Sequence, residues 1–173
     1  MENKGIMETL VDSRIIFLVG EINEEMSNGI VAKLLYLDSI NHEDITIYIN
    51  SPGGSVVDGL AIIDTMNLIK SNVNTISIGT AASMAAVILA CGNKRSCLPH
   101  SHIMIHQVYF GAQGTFSDVS IAYNNAQEMK MNILDILSKT CHKKISTLEK
   151  DCDRDFWMNA SKALDYGIID EIL

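Results

Sequence analysis

The sequence predicts an α/β fold in which most strands pair in parallel. Short apolar runs rich in β-branched residues alternate with longer segments whose apolar residues recur at helical spacing. Strands separated by helices are typically parallel, because a parallel pairing needs a long crossover connection. The chain has 173 residues, of which 47% are hydrophobic and 20% charged, as in an ordinary globular domain. We therefore expect one domain over residues 1–173.

The first half of the chain contains three predicted strands. The runs IIFLV, ITIYI and TISI cover residues 15–19, 45–49 and 75–78, and each is apolar and β-branched. The segment after the first run predicts a helix that begins at the N-cap Asn23 and ends near Ser39. Apolar positions from Val56 to Ile69 predict a second helix after the second run.

The second half predicts one further strand, three helices and a short terminal strand. The strand HIMIH covers residues 102–106, and a long helical pattern follows from Ser117 to Leu137. The other predicted elements are a short helix with a capping box of Ser146 and Glu149, a helix over residues 159–167, and a strand at residues 168–169.

Composition and charge disfavour several classes of function. The net charge of −8 has the wrong sign for a protein that neutralises nucleic-acid phosphates. The longest apolar run, residues 81–91, is shorter than the ~20 residues of a membrane helix. Residues 1–14 lack the basic start and apolar middle of a signal peptide. We expect a cytoplasmic protein with no nucleic-acid or membrane partner, whose four cysteines are reduced thiols.

Two places in the predicted fold combine a strand, a turn of small residues and a helix. ITIYINSPGG ends at Gly53 and Gly54, and NTISIGTAAS ends at Ser83. The first amides of a helix have no intrahelical partner, so this geometry presents N–H groups to a negative charge. A serine beside amides that hold an oxyanion is what acyl transfer requires. Taken alone, however, such a serine is more often an N-cap, and a Gly-Gly pair more often a turn.

A serine nucleophile also needs a base and a group that orients the base. His106 is the candidate base, because it ends an apolar strand from which a side chain projects into a site. A single histidine at a strand end is nevertheless structural in most proteins. Asp151, Asp153 and Asp155 are candidates for the third group, but they equally form a solvated charged surface. Residue spacing does not choose between them.

Six separated motifs, in this order, resemble those of the proteolytic subunits of the ATP-dependent Clp protease. They are INSPGGSVVDGLAIIDTM, GTAASMAAVILACG, KRSCLP, IMIHQ, DRDFWM and ALDYGIID, within a match from about residue 15 to residue 173. The resemblance implies a serine endopeptidase with Ser83 as nucleophile and His106 as general base and acid. It also selects Asp155 to orient the imidazole ring, and the backbone N–H groups of Gly54 and Met84 as oxyanion donors.

The same resemblance implies the fold and the assembly. The family fold is a crotonase-like α/β spiral whose handle helix, here about residues 107–139, lies between stacked seven-membered rings. Asp153 and Arg154 match a pair that links ring contact to alignment of the catalytic residues. The implied homo-oligomer is a tetradecamer that cleaves peptides and unfolded proteins in its chamber and receives substrates from a Clp ATPase. We expect no cofactor and no bound metal.

Three departures from the family pattern bear on partner and specificity. The chain begins close to the first strand, so we expect the axial pore loops to be mostly absent and delivery by an ATPase to be impaired. Thr46 stands where a second aromatic residue beside Tyr48 is usual in the docking pocket. Val108 and Phe110 replace the usual proline and glycine after the HQ pair, which predicts an altered peptide-binding strand.

Three other functions remain open from the sequence. His100, His102 and His106 alternate along one strand face, which is one arrangement for a metal site. A crotonase-type acyl-CoA hydratase or isomerase also uses two backbone amides as an oxyanion hole, but it does not need Ser83 and His106 together. A catalytically idle structural subunit of a Clp complex is the third alternative, and the complete set of candidate catalytic residues argues against it.

Overall fold

A computed structural model describes residues 5–173, which form seven helices and one seven-stranded sheet. In chain order the elements are α1 (Ile6–Asp12), β1 (Ile15–Val19), α2 (Glu24–Ile40), β2 (Ile45–Ser51), α3 (Val56–Leu68), β3 (Val73–Ala82), α4 (Met84–Ala90), β4 (Arg95–Cys97), β5 (His102–Ile105), α5 (Phe116–Cys141), α6 (Ile145–Asp151), β6 (Phe156–Asn159), α7 (Ala160–Tyr166) and β7 (Glu171–Ile172). The predicted α/β class is confirmed.

The sheet is mainly parallel, as the alternation of strands and helices predicts. Its strands lie in the order β1–β2–β3–β4–β7, and all neighbours in this series pair in parallel. The long strand β3 branches the sheet, because residues 75–77 pair with β4 and residues 80–82 pair with β5. Strand β6 pairs antiparallel with β5 on this branch. The branch therefore brings the C-terminal ends of β3 and β5 to one place.

The core holds the start of α4 in a fixed position. Helices α2 and α4 pack on the sheet, and α3 contacts both of them. On α2 the buried apolar side chains recur at helical spacing, at Ile30, Leu34 and Leu37. Every residue of α4 is buried. Because burial of each large apolar side chain contributes about 1.5–3 kcal/mol, displacing this helix is costly.

Capping side chains explain where several helices begin. The Asn23 side chain accepts a hydrogen bond from the Met26 amide at 3.0 Å, and the Asn159 side chain accepts one from the Lys162 amide at 2.9 Å. Both caps were expected from the sequence and are confirmed. At the other end of α7, Gly167 has a φ of 90°, which glycine adopts without a steric penalty.

The handle segment expected over about residues 107–139 covers an irregular stretch up to residue 115 and most of α5, whose start is set by a capping box of Thr115 and Asp118. Two other predictions are wrong. Ser146 forms no capping box, since α6 has Lys144 at its N-cap and Ser146 lies inside its first turn. The terminal strand is β7, and residues 168–169 are buried just before it.

Three elements were missed, and one strand is longer than expected. Helix α1 and strands β4 and β6 are short, and β4 and β6 lie beside charged residues that hide the strand pattern. Strand β3 continues to Ala82, so the small residues before Ser83 are strand and not the predicted turn. The turn is thus reduced to Ser83 itself.

The sequence predicts no signal peptide, no membrane-spanning helix and reduced cysteines. The first of these predictions concerns residues 1–14, which lie partly outside the described residues. Between residues 5 and 173 no helix is both long and apolar enough to span a bilayer. The four cysteines, all within that range, are free thiols, as expected.

Candidate active site

Each of the three candidate catalytic residues lies directly beside the end of a strand. Ser83 follows β3, His106 follows β5, and Asp155 precedes β6. Because β5 pairs with β3 on one side and with β6 on the other, the two ladders bring the three strand ends together. The sheet, rather than the local sequence around any one residue, assembles the site.

Ser83 occupies a strained turn between β3 and α4. Its φ of 56° and ψ of −125° lie in a region that residues other than glycine rarely adopt, at a cost of about 1–3 kcal/mol. The Ser83 amide donates to the Met104 carbonyl at 2.8 Å, which ties the turn to β5. Its side chain makes no capping hydrogen bond to α4. Ser83 thus stands at the N-cap position of α4, but its hydroxyl does not cap the helix.

The Ser83 hydroxyl instead contacts the imidazole of His106. Ser83 Oγ and His106 Nε2 are 2.8 Å apart, and His106 Nδ1 lies 3.2 Å from Asp155 Oδ1. Asp151 is engaged elsewhere, because its carboxylate accepts a hydrogen bond from the Tyr166 hydroxyl at 2.7 Å. Of the three candidate aspartates, the structure thus brings Asp155 to the histidine. The side chain of Asp155 is 60% exposed and that of His106 is 28% exposed.

The glycine turn after β2 packs directly against the serine turn. A Cβ atom on Gly53 would lie 2.6 Å from the Ala82 carbonyl oxygen and 2.7 Å from Ser83 Cβ, so only glycine allows this approach. Residue Ile22 holds the turn in place, since its amide donates to the Gly53 carbonyl at 2.8 Å and its carbonyl accepts from the Ser55 amide at 2.9 Å.

Two residues whose backbone N–H groups are unpaired in the described structure line the cavity beside the hydroxyl. Gly54 and Met84 line the same cavity as Ser83 and His106. Among the described residues, no hydrogen bond runs from either of these two amides to a protein acceptor. Unpaired amides beside a serine can donate to the negatively charged oxygen of a tetrahedral intermediate. Gly54 and Met84 are also the two oxyanion donors that the family resemblance implies.

The cysteines do not compete with Ser83 as nucleophiles. Burial raises the pKa of the Cys91 thiol to about 12 and that of the Cys152 thiol to about 11. Burial also raises the pKa of Cys97 and Cys141. Because the thiolate is the reactive form of cysteine, burial disfavours all four side chains as nucleophiles.

Comparison with known proteins identifies the family. The model of the Clp protease family matches residues 1–173. The ATP-dependent Clp protease proteolytic subunit of Bacteroides thetaiotaomicron is 48% identical over 171 residues, which cover 97% of this chain and 78% of that protein. The chain belongs to the Clp protease family. It is accordingly a serine-type endopeptidase, and neither the acyl-CoA hydratase nor the idle-subunit alternative is favoured.

A largely apolar cavity of about 500 Å³ opens beside Ser83 in this Clp protease family member. Its deeper wall comes from α4 and from one face of α5, through Val87, Met129, Ile133 and Leu137. Phe110, which packs edge-on against Tyr123 with ring centroids 6.5 Å apart, forms part of its outer wall. A cavity of this size and character accommodates apolar side chains of a peptide.

The Asp153–Arg154 pair lies at the surface next to Asp155. The Arg154 side chain is 85% exposed, and its Nε lies 4.0 Å from a carboxylate oxygen of Asp153. Both residues line a second cavity, of about 420 Å³, together with His106 and Asp155. Exposed ion pairs of this kind stabilise a fold by little, so the pair has no evident structural role within the single chain.

The histidine cluster seen in the sequence does not form a metal site. Within residues 5–173 no group of three or more potential ligand side chains has a metal-binding arrangement. His106 is engaged by Ser83 and Asp155, whereas His100 and His102 are exposed.

Two features of the site were missed in the sequence. One is the apolar cavity wall on α5, for which the four-residue spacing of Met129, Ile133 and Leu137 was the available signal. The other is Gln107, whose side-chain amide donates to the Asp153 carbonyl at 2.8 Å. No sequence pattern could indicate that contact, because the two residues lie 46 positions apart.

Proposed function

We propose that Ser83, His106 and Asp155 are the catalytic triad of this Clp protease family member. The observation that carries the proposal is the 2.8 Å contact between Ser83 Oγ and His106 Nε2, made by a serine held in a strained turn. A strained turn that exposes a serine hydroxyl to a histidine is typical of a nucleophile and is not needed for packing.

The proposed reaction proceeds through an acyl-enzyme. Ser83 Oγ attacks the carbonyl carbon of a peptide bond while His106 Nε2 takes the hydroxyl proton. The carbonyl oxygen becomes an oxyanion, to which the amides of Gly54 and Met84 donate hydrogen bonds. The intermediate collapses when the C–N bond breaks and His106 gives its proton to the leaving amine. Water then repeats the sequence on the ester and releases Ser83. Asp155 accepts the Nδ1–H hydrogen bond of His106 throughout.

The proposed substrates are peptides and unfolded protein chains. The apolar cavity beside Ser83 supports this, since an extended chain can place one apolar side chain there while its backbone lies along the open segment of residues 107–110. A folded protein cannot present a peptide bond in this way without local unfolding.

The proposed assembly is a homo-oligomer of two stacked heptameric rings, a tetradecamer. Its support is the large apolar surface that α5 and the preceding segment leave exposed: Tyr109, Phe116, Ile121, Tyr123 and Met131. Two further apolar residues of α5, Ile133 and Leu134, are buried in the core of their own chain and do not contribute to this surface. Asp153 and Arg154 are proposed to contact a neighbouring chain, where their charges find a partner.

The proposal includes a Clp ATPase partner, because the Bacteroides thetaiotaomicron relative is named as part of an ATP-dependent protease. Tyr48 stacks on Phe17 with ring centroids 5.6 Å apart and offers an aromatic surface for docking. Thr46, two residues earlier on β2, lacks the ring that would extend this surface, so we propose weaker docking. A cytoplasmic location completes the proposal and agrees with four free cysteines.

Labelling with a fluorophosphonate tests the proposed nucleophile. The reagent should modify Ser83, as located by peptide mass spectrometry. Ser83→Ala should abolish both the labelling and the cleavage of a fluorogenic peptide, with a rate lower by about 1,000-fold or more. The circular dichroism spectrum should remain that of the wild type. A variant that keeps most of its peptidase activity would show that another group is the nucleophile.

A further inference from the structure

The connection between His106 and Asp155 lies beyond the end of the ladder that positions them. The last paired residues of β5 and β6 are Ile105 and Phe156. One position further, the two backbones are no longer joined by ladder hydrogen bonds. The register of the ladder places His106 opposite Asp155, but the contact between their side chains also depends on what holds residues 106–110 next to residues 153–155.

Among the described residues, the polar contacts between these two segments are made by side chains, because no backbone-to-backbone hydrogen bond joins residues 106–110 to residues 153–155. A cavity of about 420 Å³ lies between them and is lined by residues of both. Among the described residues, the Asp155 carboxylate forms an ion pair with His106 and no hydrogen bond or ion pair with another side chain. Because that carboxylate is 60% exposed, water competes for it, and the contact alone does not fix its position.

Gln107 makes the other side-chain connection across this gap. Its Nε2 donates to the backbone carbonyl of Asp153 at 2.8 Å. The amide nitrogen must face this atom, because a carbonyl oxygen only accepts hydrogen bonds. Gln107 is the neighbour of His106, and Asp153 lies two residues before Asp155. The hydrogen bond thus joins the two catalytic segments directly beside the histidine–aspartate contact.

We propose that Gln107 is a positioning residue for the triad, and this inference rests on the catalytic roles proposed above. Its hydrogen bond to the Asp153 carbonyl sets the separation of the two segments and so keeps Asp155 within reach of His106 Nδ1. Gln107 itself does not contact the reacting atoms. Without it, the segment that carries Asp155 moves into the open cavity and the histidine loses the group that orients it.

Gln107→Met removes the donor and keeps the length of the side chain. We expect kcat for a short fluorogenic peptide to fall about tenfold, which is the effect of about one strong hydrogen bond, while KM changes less than about twofold. Gln113→Met is the matched control, since Gln113 is an exposed glutamine of the same irregular segment and makes no hydrogen bond among the described residues. Its kcat should equal that of the wild type. Gln107→Glu, which keeps the shape but cannot donate, should lower kcat in the same way as Gln107→Met.

A double-mutant cycle with Asp155→Ala separates positioning from a general structural role. The readout is the second-order rate of Ser83 acylation by a fluorophosphonate, which remains measurable in slow variants. If Gln107 acts through Asp155, Gln107→Met should slow acylation about tenfold in the wild-type background and by less than about twofold in the Asp155→Ala background. Equal slowing in both backgrounds would overturn the inference. So would a raised KM at unchanged kcat, which would make Gln107 a substrate-binding residue.

Failure of this inference and failure of the proposed function give different results. A wild-type protein in which Ser83 is not labelled overturns both, because no triad then exists for Gln107 to position. Normal labelling of the wild type together with a Gln107→Met variant of unchanged kcat overturns the role of Gln107 alone.

Discussion

Gly53→Ala should disrupt the site through one added methyl group. The new Cβ would lie 2.6 Å from the Ala82 carbonyl oxygen, whereas ordinary contacts begin near 3.4 Å, so the two turns must separate by about 0.8 Å, the difference between these values. A φ of 95° also costs an alanine about 1–2 kcal/mol. Forcing packed backbone apart adds about 1–3 kcal/mol, for a total of about 2–5 kcal/mol of lost stability.

The effect on catalysis should be larger than the effect on folding. The displaced turn carries the Gly54 amide away from Ser83, and an error of about 1 Å in such a position costs about 100-fold in rate. Urea unfolding measures the change in stability, and kcat/KM for a fluorogenic peptide measures the change in catalysis. Gly29→Ala is the control: its Cβ meets no atom within 4 Å on α2, so it should stabilise the protein by about 0.5–1 kcal/mol and leave kcat/KM unchanged. If Gly53→Ala kept kcat/KM within about threefold of the wild type, the glycine turn would not position the proposed oxyanion donors.

Three further predictions concern stability and specificity. Ser77 Oγ is buried without a hydrogen-bond partner in the described structure. Ser77→Ala should therefore raise the free energy of unfolding, measured by urea titration, by about 1 kcal/mol. A loss of stability would show that the Ser77 hydroxyl has a partner. The hydrogen bond from the Arg95 side chain lowers the pKa of Asp170 below its usual value of 3.8. The carboxylate therefore stabilises the fold above that pH, and this contribution is lost as the pH falls below it. Asp170→Asn should flatten the pH dependence of the unfolding midpoint below about pH 4, and an unchanged profile would contradict this. Phe110→Gly should open the outer wall of the cavity and raise kcat/KM for peptides with a bulky apolar residue relative to peptides with a small one, whereas an equal change for both would show that Phe110 does not select side chains.

The sequence was most informative where a single local interaction decides the structure. The β-branched runs of β1, β2 and β5 and the N-caps Asn23 and Asn159 were predicted correctly, because strand burial and capping depend on nearby residues. The predicted capping box at Ser146 is wrong because its residue pattern fits more than one helix register. Helix α6 begins at the preceding residue, Ile145. Strand β6 was missed because its sequence, FWMN, follows a charged stretch, and because its strand conformation depends on pairing with β5.

The candidate site could be predicted only in part, because its contacts join distant positions. The Ser83–His106 contact spans 23 residues, and nothing near Ser83 distinguishes it from a helix cap. The choice of Asp155 over Asp151 and Asp153 depends on the antiparallel register of β5 and β6, which no spacing along the chain reveals. The resemblance supplied that choice, and the geometry now gives its physical reason.

Within the proposed triad, Ser83 is held more firmly than Asp155. Ser83 is tied to β5 by a backbone hydrogen bond and stands before a fully buried helix, so it cannot shift without disturbing the core. Asp155 lies outside the ladder, is mostly exposed, and borders a cavity. A perturbation at the surface, such as a new contact at Arg154, therefore acts first on the aspartate. It should change kcat before it changes the free energy of unfolding, because the aspartate contributes little to the core.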